Sequence, residues 1–160
     1  VNVTLVQFAL ALLVCPALWS QDLSARVTGI VDGDTIRVSR QGVDRRVRLW
    51  GVDAPEVHQA FGPSAKRFTG RLAGGKTVTL QIRDVDRYGR IVAEVILPDG
   101  RNLNQEIVRA GFAWRYPYYA RKEQELKALE TEARTAKRGL WAARRPLPPW
   151  EYRRRHLHAN

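Results

Sequence analysis

The sequence predicts a β-rich α+β fold, a small closed or nearly closed five-stranded barrel flanked by three helices. Three observations carry this. Five short segments rich in apolar residues crowd into the first two thirds of the chain, a helical spacing is inserted between the third and fourth, and two more helical spacings follow the fifth. A length of 160 residues allows one domain with a single core and excludes a two-domain enzyme.

Arg26 to Val31, Ile36 to Arg40 and Arg45 to Trp50 read as the first three strands, with Val27, Ile30, Ile36, Val38, Val47 and Leu49 as inward positions. Asp32-Gly33-Asp34 and Gln41-Gly42 supply the turns between them. Gly62-Pro63 opens a helix in which Ala65, Phe68 and Leu72 share a face, and Gly74-Gly75 closes it. Val78, Leu80 and Ile82 alternate with Thr77, Thr79 and Gln81 in the fourth strand, and Ile91 to Leu97 is the fifth. Asn102 caps a short helix that runs to Arg109 and ends at Gly111. Arg121 to Lys137 carries Leu126, Leu129, Ala133 and Ala136 on one stripe, the third helix. Strands in this number and order, with one helix between the third and fourth, suit an OB-type barrel.

Charge divides the chain into three parts. Val1 to Gln21 carries no charged side chain, and Leu5 to Leu18 is apolar apart from Gln7, with Pro16 breaking it. Such a run is short for a membrane span and is followed by small residues at Ser20, Ser24 and Ala25, so residues 1–24 read as a secretory signal or, uncleaved, as an N-terminal anchor. Cys15, the single cysteine, lies inside it, so a chain cleaved there has no disulfide, zinc-thiolate site or cysteine nucleophile. Residues 25–141 form the barrel domain. Residues 142–160 hold Pro146, Pro148, Pro149 and five Arg, and read as an extended strap or disordered basic extension. The net charge of +11 is built on 22 Arg and 5 Lys, which points to a polyanionic partner.

Chemistry concentrates in three segments: Val31-Asp32-Gly33-Asp34-Thr35, Val47 to Glu56 (with Arg48, Asp53, Ala54, Pro55 and Glu56), and Asp86-Arg87-Tyr88-Gly89-Arg90. Taken singly, each has a plain structural reading as a hairpin turn, a helix start or a basic hairpin tip. His58 is the only histidine before the tail and reads as a loop residue, so histidine-centred hydrolysis lacks its base. Taken together, hard carboxylate oxygens at Asp34 and Asp53 with a nearby carbonyl suit Ca²⁺ or Mg²⁺, two Arg can hold a phosphate, and Glu56 is left as a base.

From Arg26 to Trp141 the chain resembles the staphylococcal nuclease (thermonuclease, micrococcal nuclease) family. All three segments stand in that family's order, and its Leu-Asn-x-x-x-Val-x-x-Gly-x-Ala pattern recurs as Leu103, Asn104, Val108, Gly111 and Ala113. The resemblance implies an OB-fold and a calcium-dependent phosphodiesterase acting on DNA and RNA and leaving 3′-phosphate ends. It implies Asp34, Asp53 and the carbonyl of Ala54 as calcium ligands, Arg48 and Arg90 as the phosphate-holding pair, Glu56 as the base, and Arg87 and Tyr88 as substrate contacts.

The chain also departs from the family's type member. Ala54 stands where that protein has Thr, which keeps the carbonyl and loses a hydroxyl. The stretch from His58 to Gly62 is shorter and lacks the Lys-rich loop. Where the type member stacks its nucleotide on two Tyr, an ungapped match gives Pro117 and Tyr119; Tyr116 or Tyr118 could substitute, and packing on the barrel competes with base stacking for all three Tyr and for Trp114. A two-carboxylate site predicts weak calcium binding, consistent with export. A monomer is expected, and the basic tail should add sequence-independent attraction to nucleic acid. The rival reading is a non-catalytic OB-fold that binds nucleic acid; it predicts loss of one or more of Asp34, Arg48, Asp53, Glu56 and Arg90, and all five are present.

Overall fold

A computed structural model describes residues 22–120 and 124–157, without the side chains of 119, 120 and 157. The expectations for Val1 to Gln21, for a stacking role of Tyr119 and for the first turn of the predicted Arg121 helix lie outside the described residues.

The first strand, β1 (Asp22–Ile30), begins ahead of the predicted Arg26 and runs through the expected 24/25 boundary. Its early residues form a regular ladder, from Asp22 opposite Gln81 to Arg26 opposite Thr77. β2 (Thr35–Arg40) and β3 (Val43–Leu49) follow as a hairpin, and β4 (Val52–Asp53) is a two-residue strand. After α1 (Gly62–Ala73) come β5 (Thr77–Val85), β6 (Ile91–Ile96) and α2 (Leu103–Arg109). β7 (Trp114–Arg115), α3 (Pro117–Ala120), α4 (Gln124–Thr135), a 3₁₀ turn at Gly139–Ala142 and α5 (Pro149–Leu157) complete the described chain.

The barrel closes in the order β1-β2-β3-β6-β5, with β5 returning to β1. Neighbours are antiparallel except β3 and β6, which run parallel from Val47 opposite Ile91 to Leu49 opposite Ala93. Alternation sends Val27, Ile36, Val38, Val47, Leu49, Val78, Leu80, Ala93 and Val95 inward, all essentially inaccessible to solvent. Closure leaves no free sheet edge, so this small core needs no disulfide to finish it.

Asn104 explains part of the Leu-Asn pattern. Its amide donates to the carbonyls of Trp50 (2.9 Å) and Ala93 (3.1 Å), while its oxygen accepts from the Val95 N–H (3.0 Å). One buried side chain thus ties α2 to β6 and to the turn that leads into β4. Asn102 caps α2 as expected, accepting from Asn104 N–H.

The C-terminal segment is not the extended or disordered strap that its prolines suggest. Pro149 occupies the first residue of α5, where its missing N–H costs no helical hydrogen bond. Arg154, Arg155 and His156 lie in the last turn, where cations complement the helix dipole. Trp150 then packs edge-on to Trp114, with ring centroids 6.3 Å apart, and Trp114 packs edge-on to Trp141 at 5.3 Å. These rings join Ala133 and Leu140 in a second small core beside the barrel. Among the described residues no helix is long and apolar enough to cross a membrane.

Candidate active site

The Asp32 turn is held from three sides. Val31 and Asp32 N–H groups donate to the Thr35 carbonyl, and Asp34 N–H donates to Asp32 Oδ1 at 3.0 Å. Thr69 of α1 donates its hydroxyl to the Gly33 carbonyl at 2.6 Å. A Cβ on Gly33 would stand 2.7 Å from the Cβ atoms of both Ala54 and Ala65, so helix, turn and the residue after β4 meet where only glycine fits. Gly33→Ala should therefore lower the unfolding free energy by about 1–3 kcal/mol. A urea titration checks this, and an unchanged midpoint at unchanged slope would contradict the close packing.

That turn directs Asp34 inward, leaving it 2% exposed. Its Oδ1 accepts from the Thr35 hydroxyl and from Arg48, and its Oδ2 accepts from Ala54 N–H at 2.6 Å. Burial pushes the Asp34 carboxyl up to about 8, against the pull of Arg48 and the Ala54 N–H toward the ionised form. A solvated Asp-Gly turn would have left the side chain in water; packing against α1 does the opposite.

Arg48 lies on β3 between the inward residues Val47 and Leu49, so the pleat turns it to the outer face. There its guanidinium bridges two acids: Nη1 pairs with Asp34 Oδ1, and Nη2 donates to Asp53 Oδ1 at 2.8 Å and to the Val52 carbonyl at 3.3 Å. Burial works against the Arg48 charge, but Asp34 and Asp53 outweigh it and raise its pKa above the ordinary value. Asp53 is fully buried, held by the pairing of β4 with β7 that sets it opposite Trp114. Two-residue strands carry no periodicity, and this pairing is invisible in the sequence.

Glu56 sits at the rim, its side chain 36% exposed. Its N–H donates to Gln59 Oε1 at 3.1 Å, its carbonyl accepts from Gln59 N–H at 2.9 Å, and Gln59 Nε2 donates to the Leu147 carbonyl at 2.5 Å. Gln59 thus fastens the Glu56 loop to the C-terminal segment. From α5, Arg153 reaches the same place: Nη2 donates to Asp53 Oδ2 at 2.8 Å, and Nη1 to Glu56 Oε1 at 2.7 Å and Asp53 Oδ1 at 3.2 Å. Neither Gln59 nor Arg153 was expected at the site. The one available signal is the spacing of Trp150 and Arg153, three apart and so on one face if the segment is a helix.

The model of the Staphylococcal nuclease homologue family matches residues 46–143, well over half of the chain. The chain belongs to the staphylococcal nuclease family. An "Uncharacterized endonuclease" of Escherichia coli is 47% identical over 136 residues, covering 84% of this chain and 87% of that protein. A "Micrococcal nuclease" of Shigella flexneri is 36% identical over 161 residues, covering 95% and 92%. The family match takes in Arg48, Asp53, Glu56 and Arg90 but begins after Asp34 and ends before α5. Asp34 joins the site through its contacts with Arg48 and Ala54, and Arg153 joins it through α5.

The second arginine expected of a staphylococcal nuclease family site, Arg90, is paired with Asp86. Arg90 donates Nε to Asp86 Oδ2 at 2.7 Å and its backbone N–H to Asp86 Oδ1 at 3.0 Å. Desolvation pushes the Asp86 carboxyl up, but bonds from Arg90 and from Tyr88 N–H together outweigh it and lower it. Arg87 and Arg90 both lie over the exposed Tyr88 ring, at 4.9 and 5.5 Å from its centroid. This hairpin tip faces Arg45 and Arg46 across a groove whose basic lining suits a phosphate backbone. Tyr116 and Tyr118 rings lie 6.1 Å apart; Tyr116 also packs 6.1 Å from Trp150, whereas Tyr118 is 79% exposed. His58 is exposed, as a loop residue should be.

Among the described residues no three or more His, Cys, Asp and Glu side chains are grouped so as to hold a metal ion by themselves. The donor set at Asp34 and Asp53 is nonetheless suited to a hard divalent cation. Asp34, Asp53 and Glu56 bring three carboxyl groups to a site with the single guanidinium of Arg48, and the group that comes to meet them, Arg153, is itself a cation.

Proposed function

We propose that this member of the family is a calcium-dependent nuclease that hydrolyses phosphodiester bonds in both DNA and RNA and releases 3′-phosphate ends. The observation that carries the reading is Arg48 held by Asp34 and Asp53 with Glu56 at the open rim, a fixed donor beside a base in a site short of positive charge. Asp34, Asp53 and the Ala54 carbonyl would hold the calcium, which would supply positive charge at the scissile phosphate.

The chain's own groups do the rest. Arg48 keeps its outer N–H groups aimed by two carboxylates, so it donates to phosphate oxygens whose charge grows during attack, with little reorganisation. Glu56 accepts the proton of the attacking water, whose oxygen bonds to phosphorus as the 5′ oxygen departs. Arg90 contributes the second guanidinium by turning from Asp86 toward the incoming phosphate. Arg45, Arg46, Arg87 and Tyr88 guide the flanking strand, and exposed Tyr118 is the better placed of the described tyrosines to stack on a base. Export in front of this domain is supported by the uncharged residues 1–21, and a site with so few carboxylates suits the higher calcium outside the cytoplasm.

The test is digestion of plasmid DNA and of RNA with calcium and with a chelator. Calcium should be required, and the fragments should prime a polymerase only after phosphatase treatment. Undiminished cleavage in chelator would remove the metal from the reading, and extendable ends would reverse the product assignment.

A further inference from the structure

Resting on the calcium reading above, we propose that Arg153 is a built-in cation that competes with the metal for Asp53 and Glu56, so that α5 controls metal loading. Arg153 takes both oxygens of Asp53 and one of Glu56. Arg48 already occupies Asp53 Oδ1 from the inner side. With both guanidinium groups seated, no Asp53 oxygen is left facing the opening, and a divalent cation placed there would meet a like charge at ion-pair distance.

The guanidinium is delivered by a folded element. Trp150 of α5 packs against Trp114, whose backbone is paired with Asp53 itself, and Gln59 binds the Leu147 carbonyl just ahead of the helix. The anchor of the helix and the carboxylate it covers therefore belong to one rigid unit. At the same time the Arg153 side chain is 39% exposed and has a flexible stem, so it can leave without unfolding α5. Charge favours the exchange. Three carboxyl groups share Arg48; Arg153 brings them one further positive charge, and a divalent cation brings two. The resting site is protected from standing as bare buried carboxylates, yet it stays poised for an ion of higher charge.

Calcium binding to the full chain by titration calorimetry, with thermal unfolding followed in chelator and in calcium, tests this. Arg153→Gln should bind calcium about tenfold more tightly, the effect expected from removing one competing charge at contact distance. Its unfolding midpoint should fall in chelator and rise further than the parent's when calcium is added. Trp150→Ala, which loosens the anchor and keeps the charge, should also tighten calcium binding. Arg154→Gln removes the same charge from an exposed position on α5 and should stay within about twofold of the parent, since exposed charges at a distance are screened. Equal calcium affinity for the parent and Arg153→Gln, or weaker binding by the variant, would overturn the competition and leave the calcium reading standing. Absence of calcium binding by every chain would overturn both.

Discussion

Replacing Glu56 by Gln should lower the rate of DNA hydrolysis by about 10²–10⁴-fold, the range for loss of a positioned general base. The substitution keeps the size of the side chain and its ability to accept from Arg153, so the rim should keep its shape. Substrate affinity should change little, because Glu56 makes no contact with the groove at Tyr88 and Arg90. Single-turnover rates separate the two quantities. A rate within threefold of the parent's would exclude Glu56 as the base and return attention to the carboxylates buried behind it. Global unfolding of the variant is not expected, since Glu56 is a third exposed and the loop is held through its backbone by Gln59.

Arg48→Lys should be equally damaging to activity for a different reason. An ammonium is a point charge and cannot span Asp34 and Asp53 with two nitrogens while offering a directed donor to a phosphate. Loss of one oriented donor predicts a fall of about 10²–10³-fold in turnover. Arg48→Ala goes further, for it leaves buried Asp34 without its ion-pair partner and Asp53 with Arg153 alone, and should cost about 3–5 kcal/mol of stability. Calcium should restore part of that stability, which a chelator-controlled melting curve measures. If Arg48→Ala melts with the parent in chelator, the ion triad contributes little to the fold. Should Arg48→Lys retain parental turnover, the bidentate geometry would be irrelevant to chemistry.

Much of this architecture was legible because strand periodicity is a local property. Val78 and Leu80 alternate with polar neighbours and are buried as that period predicts, whereas Ile82, where the register with β6 shifts, is exposed; Asn102 advertises the start of α2 by itself. The β4–β7 pairing was not legible, since two residues hold no period and the partners lie far apart in sequence. The C-terminal helix was hidden by its prolines: Pro146, Pro148 and Pro149 argue for extended chain, and only the docking of Trp150 reverses them. At the site, segment order singled out Asp34, Arg48, Asp53 and Glu56, and contacts now join them into one network with Arg153 as the link to Glu56. Arg153 itself lies in a run of three arginines, where composition suggests a solvated face, and its partners are 97 and 100 residues away. Arg90 shows the converse limit: motif order groups it with Arg48, but the bond it makes to Asp86 is visible only in the structure.

The aromatic cluster beside the barrel has a spectroscopic consequence. Trp114, Trp141 and Trp150 are three of the chain's five tryptophans, and their rings meet edge to face within one small core. Indoles fixed in an asymmetric, packed environment dominate near-ultraviolet circular dichroism, which vanishes when such packing is lost. Trp150 belongs to the C-terminal helix and Trp114 to the strand that holds Asp53, so the signal from this trio reads the seating of the helix against the site. The protein thereby carries an intrinsic optical gauge of its own C-terminus, needing no attached label.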